Sequence, residues 1–145
     1  MDPDTMWTDY VAATGADGPY TAEAFAEGLP EVSTELALLV RDGPKRATAS
    51  VLALWEEEGE SLPVPGAHSV VLDGTGQAVC VIRTASVETR RFGDVDDTFA
   101  WDEGEGDRTL AWWRQAHVDF FAGIGTTITD DTVMVLERFE LVWPP

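Results

Sequence analysis

Lys45 is the only lysine of the chain, and it stands three residues before Thr48 in the stretch Gly43-Pro44-Lys45-Arg46-Ala47-Thr48. Aspartate and glutamate outnumber lysine and arginine by 27 to 9. A single ammonium therefore does little for the surface and is well suited to a functional site. Ammonium and hydroxyl groups are used by enzymes to stabilise an oxyanion and to attack a carbonyl carbon. This stretch is the first candidate for chemistry.

The same residues also fit the end of a helix. An apolar stripe predicts a helix over residues 31–41, and a pair such as Gly43-Pro44 commonly ends one. Arg41, Lys45 and Arg46 would then complement the negative end of the helix dipole. On spacing alone, this structural interpretation is the simpler of the two.

Two motifs together resemble a known family. Gly43-x-Lys45-x-x-Thr48 is similar to the opening signature of the ASCH domain, a member of the PUA-like β-barrel superfamily. A second match follows at Glu103-Gly104-Glu105-Gly106-Asp107-Arg108 and Leu110-Ala111-x-Trp113-Arg114. With residues 70–84 and the strand Glu137-Arg138-Phe139, the resemblance covers most of the chain from about Thr21. Two motifs in the right order and separation make it fairly specific.

The resemblance implies an α+β fold, a small PUA-like β-barrel with flanking helices. It implies a single ASCH domain over residues 1–145. Within that domain, residues 1–42 would form an N-terminal helical part, and residues 43–145 would form the barrel with one longer helix.

Hydrophobic spacing and turn residues predict where the elements lie. The predicted helices cover residues 4–13, 22–27, 31–41, a short segment that ends at residue 101, and residues 110–124. The predicted strands cover residues 47–55, 70–72, 78–87 and 132–143, with a hairpin between the second and third. Asp4 and Thr21 are predicted to cap the first two helices, and Asp96 or Asp97 the fourth.

The resemblance also implies chemistry. Some relatives are amidohydrolases that remove an acyl group from a modified cytidine, and in them a lysine, a threonine and a glutamate act together. Carried onto this sequence, the catalytic residues are Lys45, Thr48 and Glu103. Glu105 is the alternative glutamate, because the second loop has extra residues here.

The side chains suggest roles for these groups. The Thr48 hydroxyl becomes a nucleophile only when a base takes its proton. Lys45 can be that base if burial lowers its pKa, or it can stay charged and stabilise a substrate oxyanion. Glu103 could protonate the leaving amine or orient the cytosine edge, and repulsion from Glu105 and Asp107 would tend to keep it protonated. The sequence leaves both roles of the lysine open.

Six residues that flank the two motifs are candidates for substrate binding: Gly43, Arg46, Ser50, Trp55, Glu105 and Arg108. Trp55, at the end of the predicted strand, could stack on a base. Arg108 could face a phosphate or pair with neighbouring carboxylates. The family signature usually has an arginine two places after the threonine, whereas this chain has Ser50.

The net charge of −18 restricts the partners. A protein that holds long nucleic acid normally carries a basic stripe, which nine basic residues against 27 acidic ones can hardly supply. We therefore expect no strong non-specific nucleic-acid binding and favour a small nucleoside or an RNA fragment. Two alternatives stay open: a ribonuclease acting on single-stranded RNA, and a non-catalytic module that binds RNA or a modified nucleotide.

Other kinds of site find little support. The sequence contains no paired-cysteine metal site, no HExxH and no phosphate-binding glycine loop, so we expect neither a metal nor a cofactor. His117 falls on an apolar helix face and is predicted to be a hydrogen-bonded core histidine. One cysteine, no membrane-spanning apolar run and no signal peptide favour a cytoplasmic protein without a membrane partner.

Overall fold

A computed structural model describes all residues from Met1 to Pro145. The helices are α1 (Pro3–Thr14), α2 (Pro30–Asp42), α3 (Leu52–Glu58), α4 (Asp97–Glu103) and α5 (Leu110–Gly123). The strands are β1 (Tyr20–Glu23), β2 (Ala47–Val51), β3 (His68–Leu72), β4 (Ala78–Arg91) and β5 (Val133–Trp143). A short 3₁₀ turn, Phe92–Asp94, follows β4. None of the helices is long and apolar enough to cross a membrane.

The strands form one mixed sheet in the order β1-β3-β4-β5-β2. β1 runs parallel to β3, whereas β3 with β4 and β2 with β5 form antiparallel pairs. Because β1 and β2 are edge strands, the sheet is not closed. The α+β class is confirmed, but the expected closed barrel is not formed.

Most of the predicted elements are confirmed within a few residues. They are α1, α2, the β3–β4 hairpin, α4, α5 and β5. The cap of α4 is Asp96, whose side chain accepts a hydrogen bond from Phe99 N at 2.9 Å. The cap of α1 is Asp2 rather than Asp4, because proline takes the first helical position and the capping carboxylate lies directly before it.

One predicted element is wrong, and another is confirmed only in its first part. Residues 22–27 do not form a helix; instead Tyr20–Glu23 is a strand whose residues pair in parallel with β3. A segment this short has too few helical hydrogen bonds to outweigh such pairing. The strand predicted over residues 47–55 ends at Val51, because Leu52–Glu58 is rich in helix-forming leucine, alanine and glutamate.

The chain divides into two compact units, of which the first comprises Met1–Gly43, Val64–Ala85 and Phe139–Pro145. Its β3–β4 hairpin is apolar on both faces. Val70 and Val81 are cross-strand partners and pack with residues of α1, including Met6 and Tyr10. Their neighbours Val71 and Cys80 point to the other face and pack with residues of α2. One hairpin therefore carries a helix on each face.

The second unit comprises Pro44–Pro63 and Ser86–Arg138. Its core is one cluster built on β2, β5, α4 and α5, and Phe99, Trp113 and Met134 are among its fully buried side chains. Ala47 and Val51 contribute from β2, with Ala49 packed against them. Since side chains alternate along a strand, Thr48 and Ser50 point to the opposite face of β2. Lys45, Thr48, Glu103 and His117 all belong to this unit.

Candidate active site

Gly104 holds the first predicted motif close to the second. Gly104 ends α4 with φ +69°, a left-handed conformation that glycine adopts without strain. A Cβ atom there would come within 2.8 Å of Lys45 Cα and Lys45 N. Arg46 N also donates to Asp102 O at 2.8 Å. The lysine backbone and the end of α4 are thus in direct contact, as only glycine at position 104 allows.

The Lys45 side chain is buried, with 1% of its surface exposed. Its Nζ donates to Ala47 O at 2.8 Å and to Glu105 Oε2 at 2.8 Å. Glu103 Oε1 lies 3.6 Å from the same nitrogen. Two carboxylates from the second motif therefore compensate the only ammonium side chain of the protein. A buried charge is tolerated only with such partners.

Helix α5 supplies two further partners of Glu103. Glu103 Oε2 accepts a hydrogen bond from Trp113 Nε1 and lies 3.2 Å from His117 Nε2. Trp113 and His117 are one helical turn apart, so they share a face of α5, and their rings stack at 4.2 Å between centroids. His117 Nδ1 lies 2.8 Å from Trp113 O. Lys45, Glu103, Glu105, Trp113 and His117 form what we call the buried ion cluster.

The two glutamates of the buried ion cluster differ in pKa. Burial acts to raise the pKa of Glu103, but the positive charges of His117 and Lys45 hold it below its ordinary value. Burial raises the pKa of Glu105 above its ordinary value; Lys45 opposes that shift, and the charge of Glu103 adds to it. The expectation that neighbouring carboxylates keep Glu103 protonated is therefore reversed. Glu105, whose side chain is 19% exposed, is better placed to exchange a proton.

The end of the Glu103–Arg108 stretch also leads into the cap of the next helix. Thr109 caps α5 by accepting a hydrogen bond from Trp112 N, and Asp107 accepts hydrogen bonds from Thr109. Glu103 itself is not in the loop but is the buried last residue of α4. The motif thus combines an exposed cap with a buried carboxylate.

Three predicted site residues, Thr48, Ser50 and Trp55, lie away from the core face of β2. Thr48 and Ser50 point to the opposite face of this strand, and Trp55 lies in α3, which follows it. The half-buried Thr48 hydroxyl makes none of the hydrogen bonds of the buried ion cluster. Ser50 Oγ accepts from Trp55 Nε1 at 2.8 Å, which fixes the indole of α3 beside the strand. Across the ladder, Thr48 pairs with Glu137, a buried carboxylate of β5 that is not among the predicted site residues.

The remaining candidates occupy separate positions. Arg46 Nη1 donates to Lys45 O at 2.6 Å, so its side chain braces the lysine backbone. Arg108 stacks on the Trp101 ring at 3.6 Å and donates two hydrogen bonds to Trp101 O. Arg108 and Trp101 line a surface cavity of about 620 Å³, together with Asp97, Thr98, Thr109 and Leu110. Gly43, in the first unit, ends α2, where a Cβ atom would meet Leu39 O at 2.9 Å.

Sequence reasoning missed the connection between His117 and the second motif. His117 was predicted to be a hydrogen-bonded core histidine, and it is buried and hydrogen-bonded. Its spacing from Trp113 indicated a shared helix face, but nothing in the sequence indicated that this face meets Glu103. No three histidine, cysteine, aspartate or glutamate side chains gather in an arrangement that could hold a metal ion.

Comparison with solved structures identifies the class of fold. The fold resembles the crystal structure of an ASCH domain from Lactobacillus crispatus, with a TM-score of 0.85 and 30% sequence identity over 96% of this chain and 92% of that one. It also resembles a protein from Enterococcus faecalis, with a TM-score of 0.81 and 30% identity over 97% and 89% of the two chains. The protein therefore has a PUA-like fold, which is a fold of the RNA-binding type.

A family model of the ASCH domain matches residues 22–143. The chain belongs to the ASCH domain family, as its two motifs indicated. No curated protein matches the chain.

Proposed function

We propose that this ASCH domain is an amidohydrolase that removes the acyl group from an N-acylated cytidine or a similar small nucleoside. The observation that carries the proposal is the burial of the only lysine between the two glutamates of the second motif, 2.8 and 3.6 Å from Nζ. A surface lysine at a helix end would be exposed instead. The buried arrangement supports a functional interpretation of Lys45 over the structural one.

Amide hydrolysis needs three kinds of group, and we assign each of them to a residue of the second unit. Charge develops on the acyl oxygen as the carbonyl is attacked, and the Lys45 ammonium is suited to stabilise it. The leaving amine must gain a proton, and Glu105 suits this role because its pKa is raised and its side chain is partly accessible. The Thr48 hydroxyl is the proposed nucleophile, and the Glu105 carboxylate takes its proton and passes it to the leaving amine. Water then hydrolyses the acyl-threonine ester, which releases a carboxylic acid and restores the hydroxyl.

Within this scheme Glu103 takes a different role from the one the family resemblance implies. Its carboxylate receives Trp113 and lies close to His117 and Lys45, and its side chain is almost fully buried. We therefore assign Glu103 to the positioning of Lys45 and Glu105 to proton transfer. Gly43, Arg46, Ser50, Trp55 and Arg108 remain the proposed residues of substrate binding.

The overall charge is consistent with a small, nearly neutral substrate. At −18 the protein repels polyanions, and its buried ammonium is already compensated by carboxylates. A ribonuclease would have to hold a polyanionic substrate, so the net charge supports that alternative less well. As part of the same proposal, the protein acts in the cytoplasm, where the buried thiol of Cys80 stays reduced.

Turnover of N-acetylcytidine, acetylated on the exocyclic amine, tests the proposal. The protein should release cytidine and acetate, both measurable by chromatography. Glu105→Gln should reduce kcat by about 100-fold or more, as expected when a general acid is lost. Glu60→Gln, the same change at an exposed position, is the matched control and should leave kcat unchanged. Equal rates for both variants, or no turnover by the wild-type protein, would exclude this role.

The cavity beside Trp101 favours a second candidate, a module that binds an RNA fragment or a modified nucleotide without cleaving it. Trp101 is exposed and is held by Arg108, and an indole backed by an arginine can stack on a base. If the protein is such a module, nucleotides should raise its melting temperature and should not be turned over. The rise should disappear in Trp101→Ala and persist in Trp112→Ala, which changes a second exposed tryptophan.

A further inference from the structure

His117 contacts two acceptors, and this restricts where its protons lie. Its Nδ1 lies 2.8 Å from Trp113 O. A carbonyl oxygen can only accept, so Nδ1 must carry a proton. Its Nε2 lies 3.2 Å from Glu103 Oε2. If the ring were neutral and the glutamate ionised, two lone pairs would face each other, so one further proton must lie between Nε2 and Glu103.

The surroundings of Glu103 decide which of the two holds that proton. Glu103 Oε2 also accepts from Trp113 Nε1, and Oε1 lies 3.6 Å from Lys45 Nζ. Donors and positive charge on both oxygens favour the carboxylate form. The proton therefore belongs on His117.

The other groups around His117 agree with this assignment. On its own helix, Trp113 and Phe121 are neutral rings at 4.2 and 6.4 Å between centroids. From the remaining elements the charged groups are Glu103 at the end of α4, Glu105 in the loop after it, and Lys45 before β2. Glu103 is the group in direct contact with the ring. Lys45 opposes the imidazolium charge only from the far side of that carboxylate.

We propose that His117 is a positioning residue, a buried imidazolium that keeps Glu103 ionised and thereby leaves Glu105 as the carboxyl that exchanges protons with the substrate. This inference deepens the proposed function and, for its catalytic part, rests on it. The ionised Glu103 holds the ammonium of Lys45 from one side, while Glu105 accepts a hydrogen bond from the other. With His117 neutral, Glu103 would take up the proton and lose its hold on Lys45.

The protonation of His117 can be measured without any substrate. The chain has two histidines, and His68 serves as the internal reference. In a pH titration followed by nuclear magnetic resonance, we expect the His117 imidazole to keep both protons to a higher pH than His68. In Glu103→Gln the midpoint of His117 should fall by about one pH unit or more, while His68 stays unchanged. Glu105→Gln is the matched control and should move His117 by less, because Glu105 does not contact the ring.

The wild-type titration alone decides the inference if Glu103→Gln fails to fold. A His117 midpoint at or below that of His68 would overturn it, and so would equal shifts in the two glutamine variants. Failure of the amidohydrolase proposal gives a different pattern, in which His117 holds its proton and N-acetylcytidine is not hydrolysed. Turnover with a neutral His117 would instead refute only the inference.

Discussion

The two histidines of the protein lie among aromatic side chains in different units, yet their pKa values are shifted in opposite directions. In the first unit, His68 lies 5.1 Å from the Trp7 ring, and its Nε2 lies 3.1 Å from Tyr10 OH. In the second unit, His117 stacks on Trp113 and contacts Glu103. Burial lowers the pKa of His68, and the charge of Arg83 adds to this shift. Burial acts in the same direction on His117, but Glu103 raises its pKa above the ordinary value.

The difference shows that burial alone does not set the charge of these rings. His117 is the more buried histidine and nevertheless keeps its proton more firmly, because a carboxylate rather than a phenol and a cation faces it. Burial makes an interaction with a single charged partner stronger. The buried ion cluster is thus a place where a small change in charge has large effects, and the Tyr10–His68 contact is not.

The largest expected effect comes from removing one cation from each unit, Lys45 from the second and Arg83 from the first. Lys45→Met should lower the free energy of unfolding by about 3–5 kcal/mol, because it leaves two buried carboxylates without their partner. Arg83→Met breaks the pair with Glu140, whose members are 43% and 57% exposed, and should cost about 0–1 kcal/mol. Urea unfolding followed by circular dichroism measures both. Similar losses in the two variants would show that the buried ion cluster is no more sensitive to a lost charge than the exposed Arg83–Glu140 pair.

The second prediction concerns pH. Because Glu103 raises the folded-state pKa of His117 above 6.5, folding is favoured by proton uptake. The resulting stabilisation is fully present below pH 6.5 and is lost as the pH rises through the folded-state pKa. Each unit of separation between the folded and unfolded pKa corresponds to about 1.4 kcal/mol.

His117→Gln tests this dependence. The difference in unfolding free energy between wild type and this variant should be largest in mildly acidic solution and should shrink as the solution becomes alkaline. His68→Gln is the matched control. Since the pKa of His68 is lowered, its difference should not shrink in this direction. A pH-independent difference for His117→Gln would show that His117 does not keep its proton more firmly in the folded state.

A smaller effect is expected from the partner of His68. Tyr10→Phe removes the hydroxyl that lies 3.1 Å from His68 Nε2 and leaves the buried ring in place. The variant should lose about 0.5–1.5 kcal/mol, the usual contribution of a neutral hydrogen bond. Thermal unfolding measures the loss. A cost as large as that of Lys45→Met would show that the first unit also depends on a single polar contact.

The smallest effect is expected from Arg83→Gln. Removing this positive charge should raise the pKa of His68 only slightly, since an exposed charge is screened by solvent and salt. The same resonance titration of His68 measures it, and added salt should reduce the shift. A shift that persists at high salt would indicate a direct contact rather than a screened charge.

Much of the site was predictable because it depends on local composition. Lys45 was conspicuous as the only lysine, and the Glu103–Arg108 motif follows it in the order typical of the family. The sequence could not show that Gly104 brings the two together, because that contact depends on tertiary packing. Nor could it show that Glu105 rather than Glu103 has the raised pKa, since the deciding charge comes from His117 on α5.

The fold was predictable where periodicity was long and failed where segments were short. Helix α5 and strand β5 have apolar patterns of more than ten residues, and both are confirmed. The four residues of β1 have no pattern of their own, and only pairing with β3 makes them a strand. The sheet was expected to close into a barrel, but closure depends on pairing between distant edge strands, which no local pattern specifies.

The role of the buried ammonium is tested by the hydrolysis of N-acetylcytidine by wild type and Lys45→Met, measured under conditions in which circular dichroism shows both proteins folded. We expect the wild-type protein to release cytidine and acetate and the variant to release neither. Equal hydrolysis by the two proteins would show that the buried ammonium has no part in the chemistry.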